Sequence, residues 1–94
     1  MDVSERFGEN LLRVRQARKL SQENVADRGA IHRTQISLFE SGQRLPRLDT
    51  LVKLAGALEV PVPTLLEGIS WRSAVDGAGR FEVTDPPELP RLGS

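Results

Sequence analysis

Two short helical patterns, separated by a turn at Gly29 and Ala30, constrain the fold of this chain more than any other feature of its sequence. In the second pattern, which covers residues 33–41, Ile36 and Phe39 are three positions apart and therefore share one helix face. The opposite face carries mostly polar side chains, namely Arg33, Thr34, Ser37 and Leu38. This predicts a helix that is anchored by its apolar face and offers hydrogen-bonding groups outward, which suits contact with the edges of DNA bases.

The first pattern predicts a helix over residues 22–28. Ser21 can cap its N-terminus, and Gly29 signals its end. Ala26 is small, and a small side chain at a steep helix crossing allows the two backbones to approach, as in a helix-turn-helix.

Both ends of the second helix are marked in the sequence. His32 is at the expected N-cap, although histidine is not among the preferred capping residues, and we expect it to act as a cap or as a neighbour of a phosphate group. Gly42 follows the last turn and can adopt the positive φ that commonly ends a helix.

Three further helices are expected. Asp2 and Glu5 have the spacing of a capping box, which predicts helix 1 over residues 3–18. Apolar side chains at three- and four-residue spacing predict helix 4 over residues 48–58. Residues 64–67 supply one more helical turn, so the sequence predicts an all-α domain of five helices.

The composition changes after Gly68, which divides the chain into three parts. Residues 1–68 form the predicted helical domain. Residues 69–84 alternate apolar and polar side chains on both sides of a glycine-rich turn, which predicts a short C-terminal β-hairpin. Residues 85–94 contain three prolines and little to bury, which predicts a flexible tail.

The predicted hairpin needs another surface, because an isolated two-stranded hairpin is marginally stable in water. We expect it to be a dimerisation element that pairs with a second copy of the chain through Ile69, Trp71, Phe81 and Val83. The alternative is that the hairpin folds back on helix 5 of its own chain and that a dimer forms through helices 4 and 5.

Length and composition exclude several classes of protein. The 94 residues suffice for one domain with a tail, and the chain has no cysteine and one histidine, so we predict no disulfide, no metal site and no cofactor. The one histidine is at a helix start and no Gly-x-Ser-x-Gly motif is present, so we predict that the protein is not an enzyme. With no signal peptide and no run of membrane-spanning length, we expect a cytoplasmic protein with no membrane partner and no small-molecule ligand domain.

The net charge is zero, but the charges are segregated. Residues 13–47 carry eight Arg and Lys against three acidic residues, a net charge of +5, and the rest of the chain carries −5. A basic middle segment favours a nucleic-acid partner, although a solvated surface could also explain it. Arg13 in helix 1 is a further candidate for DNA contact. Glu40 is expected to pair with an arginine of helix 1 or the following loop, because phosphates would repel it.

Motifs in three segments together resemble the Cro/CI-type, or XRE-family, helix-turn-helix regulators of bacteria and phages. These are Leu-Ser-Gln-Glu-Asn-Val-Ala at residues 20–26, Arg-Thr-Gln-Ile-Ser-Leu-Phe-Glu-Ser-Gly at residues 33–42, and residues 46–55. The similarity covers about residues 5–67. It implies a five-helix, lambda-repressor-like domain in which helices 2 and 3 form the motif and helix 3 enters the major groove of DNA.

The resemblance also implies roles for individual residues. Gln22 corresponds to a glutamine at the start of helix 2 that lies near a phosphate or a base, and Arg44 corresponds to a loop position that contacts phosphate. The helix 3 positions that face bases and backbone are Arg33, Thr34, Ser37 and Leu38. Relatives often carry a polar residue at position 38 and Ser or Thr at positions 32 and 47, so the base preference of this chain does not follow from a relative.

Two functions fit these expectations. The first is a sequence-specific regulator of transcription that binds double-stranded DNA, as a homodimer that places helix 3 in the major groove of a pseudo-palindromic operator. The second is the antitoxin of a toxin-antitoxin pair, in which residues 69–94 bind a protein partner, the toxin, and the helix-turn-helix regulates its own gene. The alternating hairpin pattern favours the first, because an antitoxin tail is expected to be unfolded without its partner.

Overall fold

The computed structural model describes residues 1–85, which form five helices followed by a two-stranded antiparallel hairpin. The elements are α1 (Val3–Ala17), α2 (Gln22–Gly29), α3 (Arg33–Glu40), α4 (Leu48–Leu58), α5 (Val62–Leu65), β1 (Ile69–Arg72) and β2 (Arg80–Val83). This confirms the predicted five-helix domain with a C-terminal hairpin. The predicted tail lies, except for its first residue, outside the described residues. No helix within residues 1–85 is both long and apolar enough to cross a membrane.

Local side-chain hydrogen bonds cap the N-termini of the first two helices. At α1, the Asp2 carboxylate accepts from the Glu5 amide at 2.8 Å, while the Glu5 carboxylate accepts from the Asp2 amide at 3.3 Å. This is the predicted capping box. Ser21 caps α2 as predicted, and Asn24 returns a reciprocal bond to it, each at 3.0 Å. Gly42 has a φ of +77° after α3, as expected.

The turn between α2 and α3 differs from the prediction. The helix continues through Gly29, and it is Ala30 that adopts the left-handed conformation, with φ 52° and ψ 48°. Gly29 is helical and buried, and a Cβ there would lie 2.9 Å from Cδ1 of Ile31, at the end of that side chain. The glycine therefore lets the Ile31 side chain pack closely against the end of α2.

Helix α4 has the predicted bounds, whereas α1, α3 and α5 differ from prediction by one or two residues at one or both ends, which is common where helices fray. Both α1 and α3 end one residue earlier than expected. The last helix, α5, begins two residues earlier, because Pro63 fits in a first turn whose amides have no intrahelical partner.

One hydrophobic core joins the helices, with α1 packed against α3 and α5, and α2 packed against α3 and α4. Its buried apolar side chains are Phe7, Leu11, Val25, Ala26, Ile36, Phe39, Leu51, Leu54, Ala55, Ala57, Leu58 and Leu65. Gly8 allows α1 to approach α3, because a Cβ there would lie 2.5 Å from the carbonyl oxygen of Phe39.

Two buried polar side chains of α1 hold the chain where the helical domain ends. The Arg6 Nε donates to the Glu67 carbonyl at 2.9 Å, and the Asn10 amide donates to the Leu65 and Glu67 carbonyls at 3.0 and 2.9 Å. Gly68, with φ +80°, passes so close to Arg6 that a Cβ would lie 2.6 Å from its Nη2. These contacts fix where the hairpin leaves the domain.

The hairpin places Ile69 opposite Val83 and Trp71 opposite Phe81. Ile69 packs against the core and Val83 is half-buried, whereas the rings of Trp71 and Phe81 are 55% and 60% exposed and meet edge to face at 5.0 Å. The Thr84 amide donates at 2.9 Å to the carbonyl that precedes β1. The hairpin thus folds back onto its own chain, where both strands contact α1, the expected contact having been with helix 5. Of the four expected dimerisation residues, only the two aromatic ones remain exposed.

Candidate nucleic-acid interface

A shallow depression lies between the first turn of α2 and the first two turns of α3. It is lined by Gln22, Arg33, Thr34 and Ser37, which are termed the α2–α3 depression below. The three α3 residues are exposed and Gln22 is half-buried. On the opposite face of α3, Ile36 and Phe39 are 0% and 2% exposed. The structure therefore brings together four of the predicted DNA-contacting residues, three on the firmly anchored α3 and one at the start of α2.

A nearly buried ion pair locks α3 to α1. Arg15 donates from Nε to Oε2 of Glu40 at 2.6 Å and from Nη2 to Oε1 at 3.0 Å, and its Nη1 donates to the Leu20 carbonyl at 2.9 Å. The side chains of Arg15 and Glu40 are only 15% and 7% exposed. Hydrogen bonding to Glu40 raises the pKa of the Arg15 guanidinium, so the guanidinium stays charged. The predicted role of Glu40 as an ion-pair partner is confirmed.

The same carboxylate orients one residue of the α2–α3 depression. Gln22 donates from Nε2 to Oε1 of Glu40 at 3.0 Å. A glutamine amide has two N–H donors and one carbonyl acceptor. Gln22 therefore has one donor and its acceptor left for a further partner, while the hydrogen bond to Glu40 fixes its position.

Two exposed arginines beside α3 are also tethered. Nη1 of Arg33 lies 3.7 Å from Oε1 of Glu23, an ion pair in which both side chains are largely exposed, at 64% and 71%. Arg44, in the loop after α3, donates from Nη1 to Oε1 of Gln35 at 3.2 Å. Both guanidinium groups are therefore held close to the surface that α3 presents.

Three of the expected contact residues are placed differently. His32 is exposed at the N-cap of α3, but its side chain makes no capping hydrogen bond. Leu38 is half-buried rather than fully exposed. Arg13 is also half-buried and lines a separate groove between α1 and α5, beside Asn10 and Glu67. The structure thus does not bring Arg13 together with the α2–α3 depression.

Some arginines of the basic middle segment, residues 13–47, make hydrogen bonds to other parts of the domain. Arg18 donates to the Glu59 carbonyl at 3.1 Å and Arg28 to the Ala57 carbonyl at 3.5 Å, at the C-terminal end of α4, where the helix dipole favours cations. Together with Arg15, three of the eight basic residues are used in this way. The exposed arginines on or just after α3 are Arg33, Arg44 and Arg47.

The choice of Arg15 as the helix 1 partner of Glu40 and the ion pair of Glu23 with Arg33 were not predicted from the sequence. Arg15 follows Leu11 by four positions and Phe7 by eight, so a signal for its inward position was present. A cation on a buried helix face needs an anionic partner, which Glu40 supplies. Within residues 1–85, no group of three or more His, Cys, Asp or Glu side chains could hold a metal ion.

A protein-family model described as helix-turn-helix matches residues 11–65, which is more than half of the chain. The chain belongs to this helix-turn-helix family. The match contains α2, α3 and α4 entirely. It confirms the resemblance to Cro/CI-type regulators that the sequence motifs indicated.

Several regulators are similar in sequence to this helix-turn-helix protein. The control protein C.SmaI of Serratia marcescens is 42% identical over 66 residues, which cover 70% of this chain and 79% of that protein. The HTH-type transcriptional regulator YqaE of Bacillus subtilis is 34% identical over 80 residues, or 85% of this chain and 69% of the relative. The transcriptional repressor RstR of the CTXphi phage in Vibrio cholerae is 39% identical over 57 residues, which cover 61% of this chain and 51% of that protein.

Solved structures show the same fold. The restriction-modification controller protein C.AhdI from Aeromonas hydrophila superposes with a TM-score of 0.63 at 36% identity, covering 65% of this chain and 92% of that chain. The restriction-modification controller protein C.Esp1396I gives a TM-score of 0.65 at 22% identity, covering 71% of this chain and 88% of that chain. The second likeness, at its lower identity, concerns the fold alone.

Proposed function

We propose that this protein is a sequence-specific regulator of transcription that binds double-stranded DNA as a homodimer in the cytoplasm. The observation that carries the proposal is the α2–α3 depression, where four hydrogen-bonding side chains lie on the outer side of a helix pair whose inner side is buried. The relatives named as transcriptional regulators, control proteins and repressors support it. The docking of the hairpin on α1 supports a regulator over an antitoxin, whose tail would be unfolded without its toxin.

In the proposed complex, α3 lies in the major groove. Arg33 donates to O6 and N7 of a guanine, which is the commonest specific contact of arginine. The hydroxyl groups of Thr34 and Ser37 contact neighbouring base edges. Leu38, although half-buried, offers an apolar contact to a thymine methyl group. These side chains supply sequence preference.

Other residues position the protein on the DNA backbone. Gln22, held by Glu40, donates its remaining N–H to a phosphate at the groove edge. Arg44 reaches a phosphate from the loop after α3, and His32 lies beside another. Contacts of this kind fix register and orientation but carry no sequence information.

The proposed homodimer forms through Trp71 and Phe81. These two exposed aromatic rings lie on a hairpin whose outer edges are unpaired, and unpaired edges invite pairing with another chain. A two-fold dimer presents two copies of α3 to one face of the DNA. Half-sites are then expected about one helical turn, roughly 34 Å, apart.

Selection of bound DNA from a random pool tests the function directly. The full-length protein is expected to enrich a pseudo-palindrome whose half-sites are spaced by about one turn, roughly 10 base pairs. Enrichment of a single, asymmetric site would contradict the homodimer. Recovery of no preferred sequence would refute sequence-specific binding.

A set of surface variants tests the dimer. We expect the double variant Trp71→Ser and Phe81→Ser to keep its helical circular dichroism but to sediment as a monomer. Val75→Ser, which also removes an exposed apolar side chain from the hairpin, is the control and should remain dimeric. If the dimer is lost instead in Leu48→Ser with Val52→Ser, two exposed apolar residues of α4, the interface lies on the helices.

A further inference from the structure

Glu23 carries a negative charge on the surface that DNA phosphates must approach. It is the second residue of α2, and its carboxylate faces Arg33 across the gap between α2 and α3 at 3.7 Å. Both side chains are largely exposed, at 71% and 64%, and exposed ion pairs of this kind contribute little to stability. The position of the pair beside the α2–α3 depression suggests an effect on binding rather than on folding.

The geometry leaves Arg33 able to read a base. A guanidinium group has five N–H donors, and the shortest approach of Arg33 to Glu23, at 3.7 Å, is made by Nη1. The edge formed by Nε and Nη2 is left for the two acceptors of a guanine, O6 and N7. A guanine can therefore bind without breaking the contact with Glu23.

The ion pair has a different effect on contact with a phosphate. Non-specific binding depends on positive charges that neutralise phosphates and release counterions. The Glu23 carboxylate offsets most of the charge of Arg33 and repels a phosphate that comes near it. The same ion pair therefore tolerates a base contact and opposes a backbone contact at Arg33.

We propose that Glu23 is a specificity-determining residue, which holds Arg33 for a base and suppresses its use in non-specific binding to phosphates. The proposal rests on the function proposed above, because it assigns Glu23 a part in the reading of bases by Arg33. In this proposal Glu23 changes specificity only through its contact with Arg33. The quantity that it changes is the ratio of the affinity for the specific site to the affinity for non-specific DNA.

A simpler role for Glu23 would be to stabilise the N-terminus of α2, where the helix dipole favours an acidic side chain. That role predicts a small loss of stability when the charge is removed. It predicts no change in the ratio of specific to non-specific affinity, and no dependence on Arg33. The two roles can therefore be separated by binding measurements.

The test compares Glu23→Gln with Asp76→Asn, a control that removes one negative charge from the hairpin turn. Affinity is measured for the selected site and for random duplex DNA across a salt series. For Glu23→Gln we expect random DNA to bind about 3- to 10-fold more tightly at 0.1 M salt, with a salt slope steeper by about 0.9, as for one more contacted phosphate. We expect the specificity ratio to fall correspondingly and Asp76→Asn to leave it unchanged.

The double variant Glu23→Gln with Arg33→Ala decides whether the effect passes through Arg33. In the Arg33→Ala background, Glu23→Gln should change the affinity for random DNA by less than about 2-fold, since no guanidinium remains to be released. An equal gain in both backgrounds, or an unchanged specificity ratio in Glu23→Gln, overturns the role of Glu23 while the proposed function stands. A wild-type protein with no sequence preference would overturn both.

Discussion

Replacing Glu40 with glutamine is expected to destabilise the domain strongly although the side chain barely changes in shape. Glu40 accepts two hydrogen bonds from Arg15 and one from Gln22, at 2.6 to 3.0 Å. The amide of glutamine has only one acceptor oxygen, and its NH2 group would face another donor. At least one donor is therefore left without a partner, and the Arg15 charge loses its counterion.

The size of the effect follows from the burial of the pair. Removing one partner of a buried ion pair costs about 3–5 kcal/mol, and hydrogen bonds to charged groups contribute about 1.5–3 kcal/mol each. Because Arg15 is 15% exposed and can recover some hydration, we expect a loss at or just below the lower limit for a buried ion pair, about 2–3 kcal/mol in the free energy of unfolding.

Urea denaturation followed by circular dichroism measures this loss. With a slope of about 1 kcal/mol per molar urea for a small domain, the midpoint should fall by about 2–3 M. The control is Glu23→Gln, the same chemical change in an exposed ion pair, for which we expect a loss below about 1 kcal/mol. Equal losses in the two variants would refute the structural importance of the Arg15–Glu40 pair.

Three further predictions concern DNA binding and packing. The logarithm of the DNA affinity should fall with the logarithm of salt concentration with a slope of about −0.9 per contacted phosphate, and an affinity that does not change with salt would contradict phosphate contacts. Gly8→Ala should lower the melting temperature by about 4–8 °C, because the new Cβ would lie 2.5 Å from the Phe39 carbonyl oxygen and force α1 away from α3. An unchanged or raised melting temperature would show that the close approach of α1 and α3 does not require a glycine. Replacing the thymine next to Leu38 by uracil should weaken binding several-fold, and an unchanged affinity would argue against the methyl contact.

Local signals in the sequence predicted most of the fold. The capping residues Asp2 and Ser21, the positive φ of Gly42 and the spacing of apolar residues all act within one or two helical turns. Such signals can be recognised without knowledge of the tertiary structure. The helix-turn-helix and the outward-facing residues of α3 follow from them, whereas Gln22, the fourth side chain of the α2–α3 depression, was expected from the resemblance to Cro/CI-type regulators.

Features that depend on contacts between distant parts of the chain could not be predicted in the same way. The basic middle segment favoured a nucleic-acid partner, but Arg18 and Arg28 donate to carbonyl groups at the end of α4. A count of charges gives no information on the direction of a side chain. Nor does it show that an exposed acid, Glu23, lies opposite Arg33.

The sequence left open whether the hairpin pairs with a second copy or folds back on helix 5 of its own chain, and it did not indicate the contact with α1. This contact depends on Arg6 and Asn10, two polar residues of α1 that are buried because they reach the carbonyl groups at the end of α5. Their partners are more than 50 residues away in the chain. The alternating pattern alone therefore indicated a hairpin but not the surface of its own chain that it covers.

Base reading by α3 is tested most directly by comparing Arg33→Ala and Arg44→Ala on the selected site and on random DNA. We expect Arg33→Ala to lose roughly 1–3 kcal/mol on the selected site, to relax the preference at one or two base pairs, and to bind random DNA nearly as well as the wild type. We expect Arg44→Ala to weaken binding to both DNAs alike, since a phosphate contact is independent of sequence. If Arg33→Ala instead loses the same affinity on selected and random DNA, Arg33 contacts only the backbone, and α3 does not read bases through it.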